Sequence, residues 1–301
     1  MSFAEMQYYG NGRIICDTST FSVGDKIRVK SMVDNTKVWD KTVETVGTPL
    51  VYDVPSKDYY KICIVQTISD VETEIGGVYR TLDFGQTIFV DVLDKKTLAG
   101  IQGILNAHQE ANVLNIGDEL DITVNGSPWT MQIAGIDLND SHEVIFASKL
   151  LWSTSAFSSG NNYTASNAYL REKMTSFYNA ISANEKQYLK TAIKCGKVVG
   201  TGTTYYQFED YVYPPTALEV GGTAPSGTPT ITLHQYPLFA TDTNRVKYYN
   251  STATDWLTCD GGTASAKATD VSSAGAVRFA TASTTTTTLG VLPCFRLTAD
   301  S

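Results

Sequence analysis

The stretch "IGDELDITVNGSPWTMQIAGIDL", residues 116–138, decides how the fold is read. Leu120, Ile122 and Val124 alternate before Asn125-Gly126, and Trp129, Met131 and Ile133 alternate after it. Period-two alternation on both sides of an Asn-Gly pair predicts a β-hairpin, because successive strand side chains point to opposite faces and a two-residue turn wants positive φ. "HEVIFAS" (142–148) continues as a third strand.

Upstream the pattern changes twice. In "DKKTLAGIQGILNAHQE" (94–110) the period is nearly four: Leu98, Ile101, Leu105 and His108 fall on one helical stripe, with Asp94 placed as N-cap. Before it, "GRIICDTS", "GDKIRVKSM", "TKVWDKTVET", "PLVYDV" and "YYKICIVQ" are short alternations separated by Gly, Pro, Asn and Asp turns, Asp34-Asn35 among them. Their spacing of about ten residues predicts an all-β sandwich over 1–90. "VETEIGGVYRTLDFGQTIFVDVL" (71–93) reads as a hairpin leading out of it. Downstream, Ser166 caps a predicted helix in which Leu170, Met174, Phe177, Tyr178 and Ile181 share a face. Asn184 caps a third, "EKQYLKTAIK". Beyond Gly196 periodicity fades. "TYYQFEDYVY" and "GVLPCFRLT" read as strands, "VGGTAPSGTPT" (220–230) as loop, and "TASTTTTTL" (281–289) as an exposed strand or linker. The expected architecture is α+β: residues 1–90 a sandwich, residues 91–301 hairpin, helices and long loops.

The 301 residues suffice for two domains. Charged residues make up 18%, and Thr, Ser, Asn, Gly and 17 Tyr fill the surface, which suits turns and strands better than a helical bundle. A net charge of −8, with the densest basic stretch, "LREKMTSF", interrupted by an acid, argues against nucleic acid as a partner. No window reaches the length of a membrane span, so no membrane insertion is expected, and the N-terminus has no signal-peptide pattern. Five widely spaced cysteines without a CxxC pair read as small buried hydrophobes in a chain made in a reducing cytoplasm.

The first ninety residues resemble Ig-like or transthyretin-like sandwiches. The order of helix, hairpin, "SNAYLREKMTSFYNAISANEKQYLKTAIK", aromatic segment "YPLFATDTNRVKYYNSTATDWLTCD" and closing "GVLPCFRL" resembles a domain of unassigned function common in phage virion proteins. That domain's architecture is C-type-lectin-like, related to formylglycine-generating enzymes and phage receptor-binding domains. Trp256-Leu257 matches its tryptophan loop, whereas Thr258-Cys259-Asp260 replaces the usual Arg-Ser and Leu292 stands where arginine is usual. The resemblance implies a loop-rich ligand face formed by the segment that contains residues 244–262.

The histidines His108, His142 and His234 lie in no hydrolase motif. Asp137, Asn139 and Asp140 could offer oxygens to calcium, but an Asx-stabilised turn explains them more cheaply. Cys259 and Cys294 fall in no matching redox motif. Glu209 and Asp210 are adjacent acids, and neighbours on a strand point to opposite faces. No catalytic residue, metal or cofactor is expected. The residues expected to bind a ligand are Tyr248, Tyr249, Asn250, Asp255 and Trp256: rigid aromatics give contact area at low entropy cost, and the polar residues between them adapt their hydrogen bonds. Trp256 and Tyr248 have an alternative role as plugs anchoring the loop to the core. The expectation is a non-catalytic bacteriophage virion structural protein, a capsid decoration, head-fibre or tail-associated module. It would attach to other virion proteins, bind a host-surface glycan or protein, and work as a homo-oligomer or lattice-bound copy. Its alternatives are a carbohydrate-active or formylglycine-generating-like enzyme, and a purely structural virion protein without an external ligand.

Overall fold

A computed structural model describes residues 12–18, 21–33, 37–54, 58–68, 71–82, 86–91, 97–106, 110–138, 142–165, 167–200 and 202–300. The chain separates into two compact units, Met1–Val113 and Leu114–Ser301. The helix Leu98–Asn106 thus belongs to the first unit.

In the first unit, β1 (Gly12–Asp17), β2 (Lys26–Ser31), β3 (Lys37–Thr42), β4 (Leu50–Val54), β5 (Asp58–Ile68), β6 (Val71–Leu82) and β7 (Thr87–Asp91) form two sheets. Their orders are β4-β1-β7 and β3-β2-β5-β6. β1 pairs antiparallel with β4 and parallel with β7. The stretch 71–93 does not leave as a hairpin: β6 pairs with β5, while β7 joins β1 in the other sheet. Alternation sets the inward face, with Ile14, Cys16, Ile27, Val29, Tyr52, Val54, Tyr60 and Ile62 all buried. The buried Tyr52 hydroxyl donates to the Ile27 carbonyl at 2.8 Å, tying the sheets together. A register shift between Ile62 and Ile64 leaves an extra residue in β6 opposite the buried Cys63. On the outer face Arg28 reaches Asp40, Glu72 and Glu74.

The helix Leu98–Asn106 lies within the stretch that the sequence pattern marks. Leu98, Ile101, Ile104 and Leu105 are buried, and Thr97 Oγ1 accepts the Gly100 N–H at 3.1 Å. Asp94, His108 and the turn at Asp34-Asn35 lie outside the described residues.

The second unit contains β8 (Glu119–Val124), β9 (Ser127–Ile136), β10 (Glu143–Ser148), β11 (Ser153–Ser155), β12 (Ala192–Lys197), β13 (Tyr205–Asp210), β14 (Tyr248–Tyr249), β15 (Thr252–Ala253), β16 (Trp256–Gly261), β17 (Lys267–Val271), β18 (Val277–Ser283), β19 (Leu289–Val291) and β20 (Cys294–Thr298). One antiparallel sheet runs β20-β10-β9-β8 and a second runs β11-β19-β16-β17-β18. The hairpin at its start forms as the alternation demands: Leu120, Ile122 and Val124 are buried, and Asn125 and Gly126 have φ of 50° and 75°. Trp129 meets Trp152 edge-on at 5.4 Å and Phe177 at 6.0 Å, clamping the helix Tyr169–Ala180 onto the sheet. That helix starts from Ala168 without a side-chain cap, and Ser166 lies outside the described residues.

Two sequence expectations are corrected here. "EKQYLKTAIK" is not a helix: the helical turn is only Ala183–Lys186, entered from Ser182 instead of Asn184, and Ala192–Lys197 is a strand. Nor is the chain after Gly196 mostly irregular, because it supplies four strands of the five-stranded sheet. The cause is burial on both faces. All six residues of β16 are buried, so "WLTCDG" shows no alternation. Its polar members are satisfied by distant backbone: Asp260 accepts the Lys197 and Ala217 N–H groups at 2.7 and 2.6 Å. Gly261 is required there, since a Cβ would sit 2.4 Å from the Val199 nitrogen. The Thr run is a tied turn between β18 and β19, with the Thr284 carbonyl accepting the Phe157 and Ser158 N–H groups at 3.0 Å.

Candidate functional site

Residues 237–256 fold as a stepped wall. A 3-10 turn, Pro237–Phe239, and the short helix Asp242–Arg245 lead to Lys247, β14, a turn at Asn250-Ser251, β15 and then β16. Asn250 and Ser251 both have positive φ, 49° and 64°, the conformation of a two-residue type I′ turn, which Asn tolerates best among residues with a Cβ. The tip is presented outward: Tyr248 is 45% exposed, Tyr249 half-buried and Asn250 exposed. Its base is fixed, since the Leu151 N–H donates to the Tyr248 carbonyl at 2.9 Å and the Thr254 N–H to the Lys247 carbonyl at 3.0 Å. Leu150, the chain neighbour of this anchor, is exposed, and nothing in its sequence context singles it out.

The five expected ligand residues therefore part company. Trp256 is fully buried, its indole N–H donates to the Arg245 carbonyl at 2.9 Å, and its ring lies 6.0 Å from that of Phe239. It plugs the core beneath the hairpin and offers no face to a ligand. Asp255 is engaged by the Ser273 N–H at 2.6 Å and by Arg278 Nη2 at 2.5 Å, and Arg278 also pairs with Asp270. Burial alone would raise the Asp255 carboxyl, but these bonds more than offset it and hold the group below the usual carboxylate range. Tyr248, Tyr249 and Asn250 remain as the presented set.

Under the hairpin, Lys247 is 3% exposed. Its Nζ donates to Gln132 Oε1 on β9 at 3.1 Å and lies 5.6 Å from the Phe239 ring centre. Gln132 Nε2 in turn donates to Glu119 Oε1 at 3.1 Å, and Glu119 Oε2 pairs with Lys149 at 2.8 Å. Desolvation pushes the Lys247 ammonium down to about 8. No sequence signal links residues 132 and 247.

A second polar cluster forms the interior of the unit. Lys194 Nζ pairs with Glu219 Oε1 at 2.6 Å, and the Tyr236 hydroxyl bonds both, at 2.8 and 2.7 Å. Glu219 Oε2 accepts the Thr216 N–H at 2.9 Å, closing a capping box on the helix Ala217–Gly221. Burial would lower the Lys194 ammonium, but Glu219 and Tyr213 hold it above its ordinary value. Beside this cluster is a cavity of about 50 Å³ lined in part by Glu143, Lys194, Glu219, His234, Tyr236 and Arg296. That space suits a water or two and not a sugar ring.

The other expected chemistry separates in space. On β13, Glu209 is bonded by Thr191 Oγ1 at 2.5 Å and Asp210 by Arg171 at 2.8 Å. All five cysteines are buried, and burial raises the Cys16 and Cys63 thiols to about 12 and 11 and pushes Cys259 and Cys294 well above the ordinary thiol value. Such thiols carry almost no thiolate at neutral pH. Asp137, in the left-handed region, accepts the His142 N–H at 2.8 Å, a bond spanning five residues and not the two of an Asx turn; Asn139 and Asp140 lie outside the described residues. Among the described residues no helix is long and apolar enough to cross a membrane.

Comparison with protein-family models, curated proteins and solved structures returns no match for this chain.

Proposed function

We infer that the protein is a non-catalytic binding module of a bacteriophage virion, a capsid decoration, head-fibre or tail-associated component. The first unit would mount it on other virion proteins, and the second would present the Tyr248–Asn250 tip to a host-surface glycan or protein. The observation that carries this reading is the β14–β15 hairpin: exposed Tyr248 and Asn250 stand on a two-residue turn whose base is held by Lys247, Leu151 and the Trp256 plug. Such a tip loses little entropy on contact, as rigid tyrosines do in antibody loops.

Further support comes from the wiring of each unit. Two sheets ordered β4-β1-β7 and β3-β2-β5-β6, with β1 and β7 parallel, favour the transthyretin-like over the Ig-like form of the sandwich. A chain that returns its last strand, β20, to the edge of the first sheet beside β10, with helix and loops between, supports the C-type-lectin-like reading. The separated acids and high-pKa thiols weigh against the enzyme alternatives. Attachment through the first unit implies several copies on a symmetric particle.

The test is incubation of the full-length protein with bacterial surface polysaccharides and intact cells. The reading expects saturable binding and an unaltered glycan. New reducing ends would favour an enzyme, and no binding alongside co-purification with virions would favour the purely structural alternative.

A further inference from the structure

The contact between Lys247 and Gln132 joins a nucleophile to an electrophile. The amine is enclosed, Gln132 Oε1 lies 3.1 Å from Nζ, and the carboxamide carbon is one C=O bond, about 1.2 Å, from that oxygen. Burial of the amine removes the water that would solvate a charged ammonium, while Gln132 is half-buried and Glu119 is exposed. The leaving nitrogen, Gln132 Nε2, is already hydrogen-bonded to a carboxylate, Glu119 Oε1, at 3.1 Å. Lys149, paired with the other oxygen of Glu119, keeps that carboxylate in place. These are the parts of an intramolecular transamidation: a buried amine, an adjacent primary amide and a proton carrier at the leaving group.

We propose that Lys247 and Gln132 form an isopeptide bond that staples the base of the β14–β15 hairpin to β9. In this step Lys247 Nζ attacks Gln132 Cδ, and a C–N bond forms. Glu119 takes the proton lost from Nζ and delivers it to Nε2, the Cδ–Nε2 bond breaks, and ammonia leaves. Atoms and charge balance without an oxidant, cofactor or second protein. Because burial holds the ammonium near pH 8, a substantial neutral fraction exists at mildly alkaline pH, and the reaction should speed up as pH rises towards 9. The product would replace one hydrogen bond with a covalent tie between residues 115 positions apart. A cross-link closing so long a loop resists unfolding and proteolysis, which suits a tip exposed outside a cell. The inference stands on the contact alone and does not depend on what the tip binds.

Intact-mass measurement of the full-length protein, freshly purified and after incubation at pH 9, tests it. The expected result is a protein lighter than its sequence by one ammonia. It should also yield a branched tryptic peptide joining the segments that hold residues 132 and 247, with no cleavage after Lys247. Asn125-Gly126 could lose ammonia by succinimide formation, so the branched peptide is the deciding observation. Lys247→Met and Gln132→Met should each abolish the branched peptide. Glu119→Gln should slow its formation by about a hundredfold, the contribution of a positioned proton carrier. A wild-type protein that keeps its full sequence mass, or that is cleaved normally after Lys247 following incubation at pH 9, overturns the proposal. That result needs no variant to fold. An unchanged rate in Glu119→Gln overturns the assigned proton route.

Discussion

Lys194→Met removes the lysine that pairs with Glu219 inside the second unit and leaves the side chain's volume nearly intact. Both partners are sequestered, with side-chain exposures of 8% and 2%. Breaking such a pair while leaving one charge behind costs 3–5 kcal/mol as a rule of thumb, far more than the pair's net worth, because the stranded ion keeps its desolvation penalty. Glu219 retains two donors, the Tyr236 hydroxyl and the Thr216 N–H, which places the expected loss at the lower end, about 3 kcal/mol. Urea denaturation followed by tryptophan fluorescence reads this as a midpoint lowered by about 1 M. Three of the four tryptophans, Trp129, Trp152 and Trp256, report on this unit. Lys194→Met combined with Glu219→Gln should recover part of the loss, since no charge is then left buried. A single variant less than about 1 kcal/mol below wild type at pH 8, in the range of an exposed ion pair, would refute the argument. So would a double variant as unstable as the sum of its parts.

Two further outcomes follow from groups in β16. Trp256→Ala should cost about 3–5 kcal/mol as a large side chain leaves a cavity beneath the hairpin; a loss under about 1 kcal/mol in thermal or urea unfolding would return Trp256 to the surface. Burial, partly offset by hydrogen bonds from the Ala217 and Lys197 N–H groups, raises Asp260 to about 6. A folded-state pKa above the unfolded one means that its stabilising contribution is complete below about pH 4 and is lost as pH rises through 6. Melting temperatures at pH 4, 5, 6 and 7 should therefore fall less steeply with pH in Asp260→Asn than in wild type, whatever the variant's absolute stability. Parallel curves would contradict the assignment.

What could be read in advance depended on whether each residue's partners were local. The β8–β9 hairpin was legible because Asn125-Gly126 fixes the turn and Leu120, Ile122 and Val124 need one buried face. Met174 and Phe177 marked their helix in the same way. Strand β16 was opaque: Thr258 and Asp260 sit in its interior only because backbone groups far away in the chain satisfy them. Residues 192–194 end the helix-like stretch "EKQYLKTAIK", and pairing with β13 overrides that pattern. For the site, composition pointed to the hairpin but could not tell a plug from a contact. Tyr248 and Trp256 are both aromatic within one short segment, yet the first is exposed and the second fully buried. The pairs Lys194–Glu219 and Lys247–Gln132 had no local signature at all, since only the fold brings them together.

The central claim is that the Tyr248–Asn250 tip is a rigid contact surface and not part of a reaction centre. Its most direct measurement compares the dissociation constants of full-length wild type and Tyr248→Ala/Tyr249→Ala for the host-surface ligand that wild type retains, after circular dichroism shows both folded. Loss of one anchoring tyrosine at about 2 kcal/mol corresponds to about 30-fold weaker binding, and the double variant should lose at least that. Equal affinities for the two proteins would contradict the account.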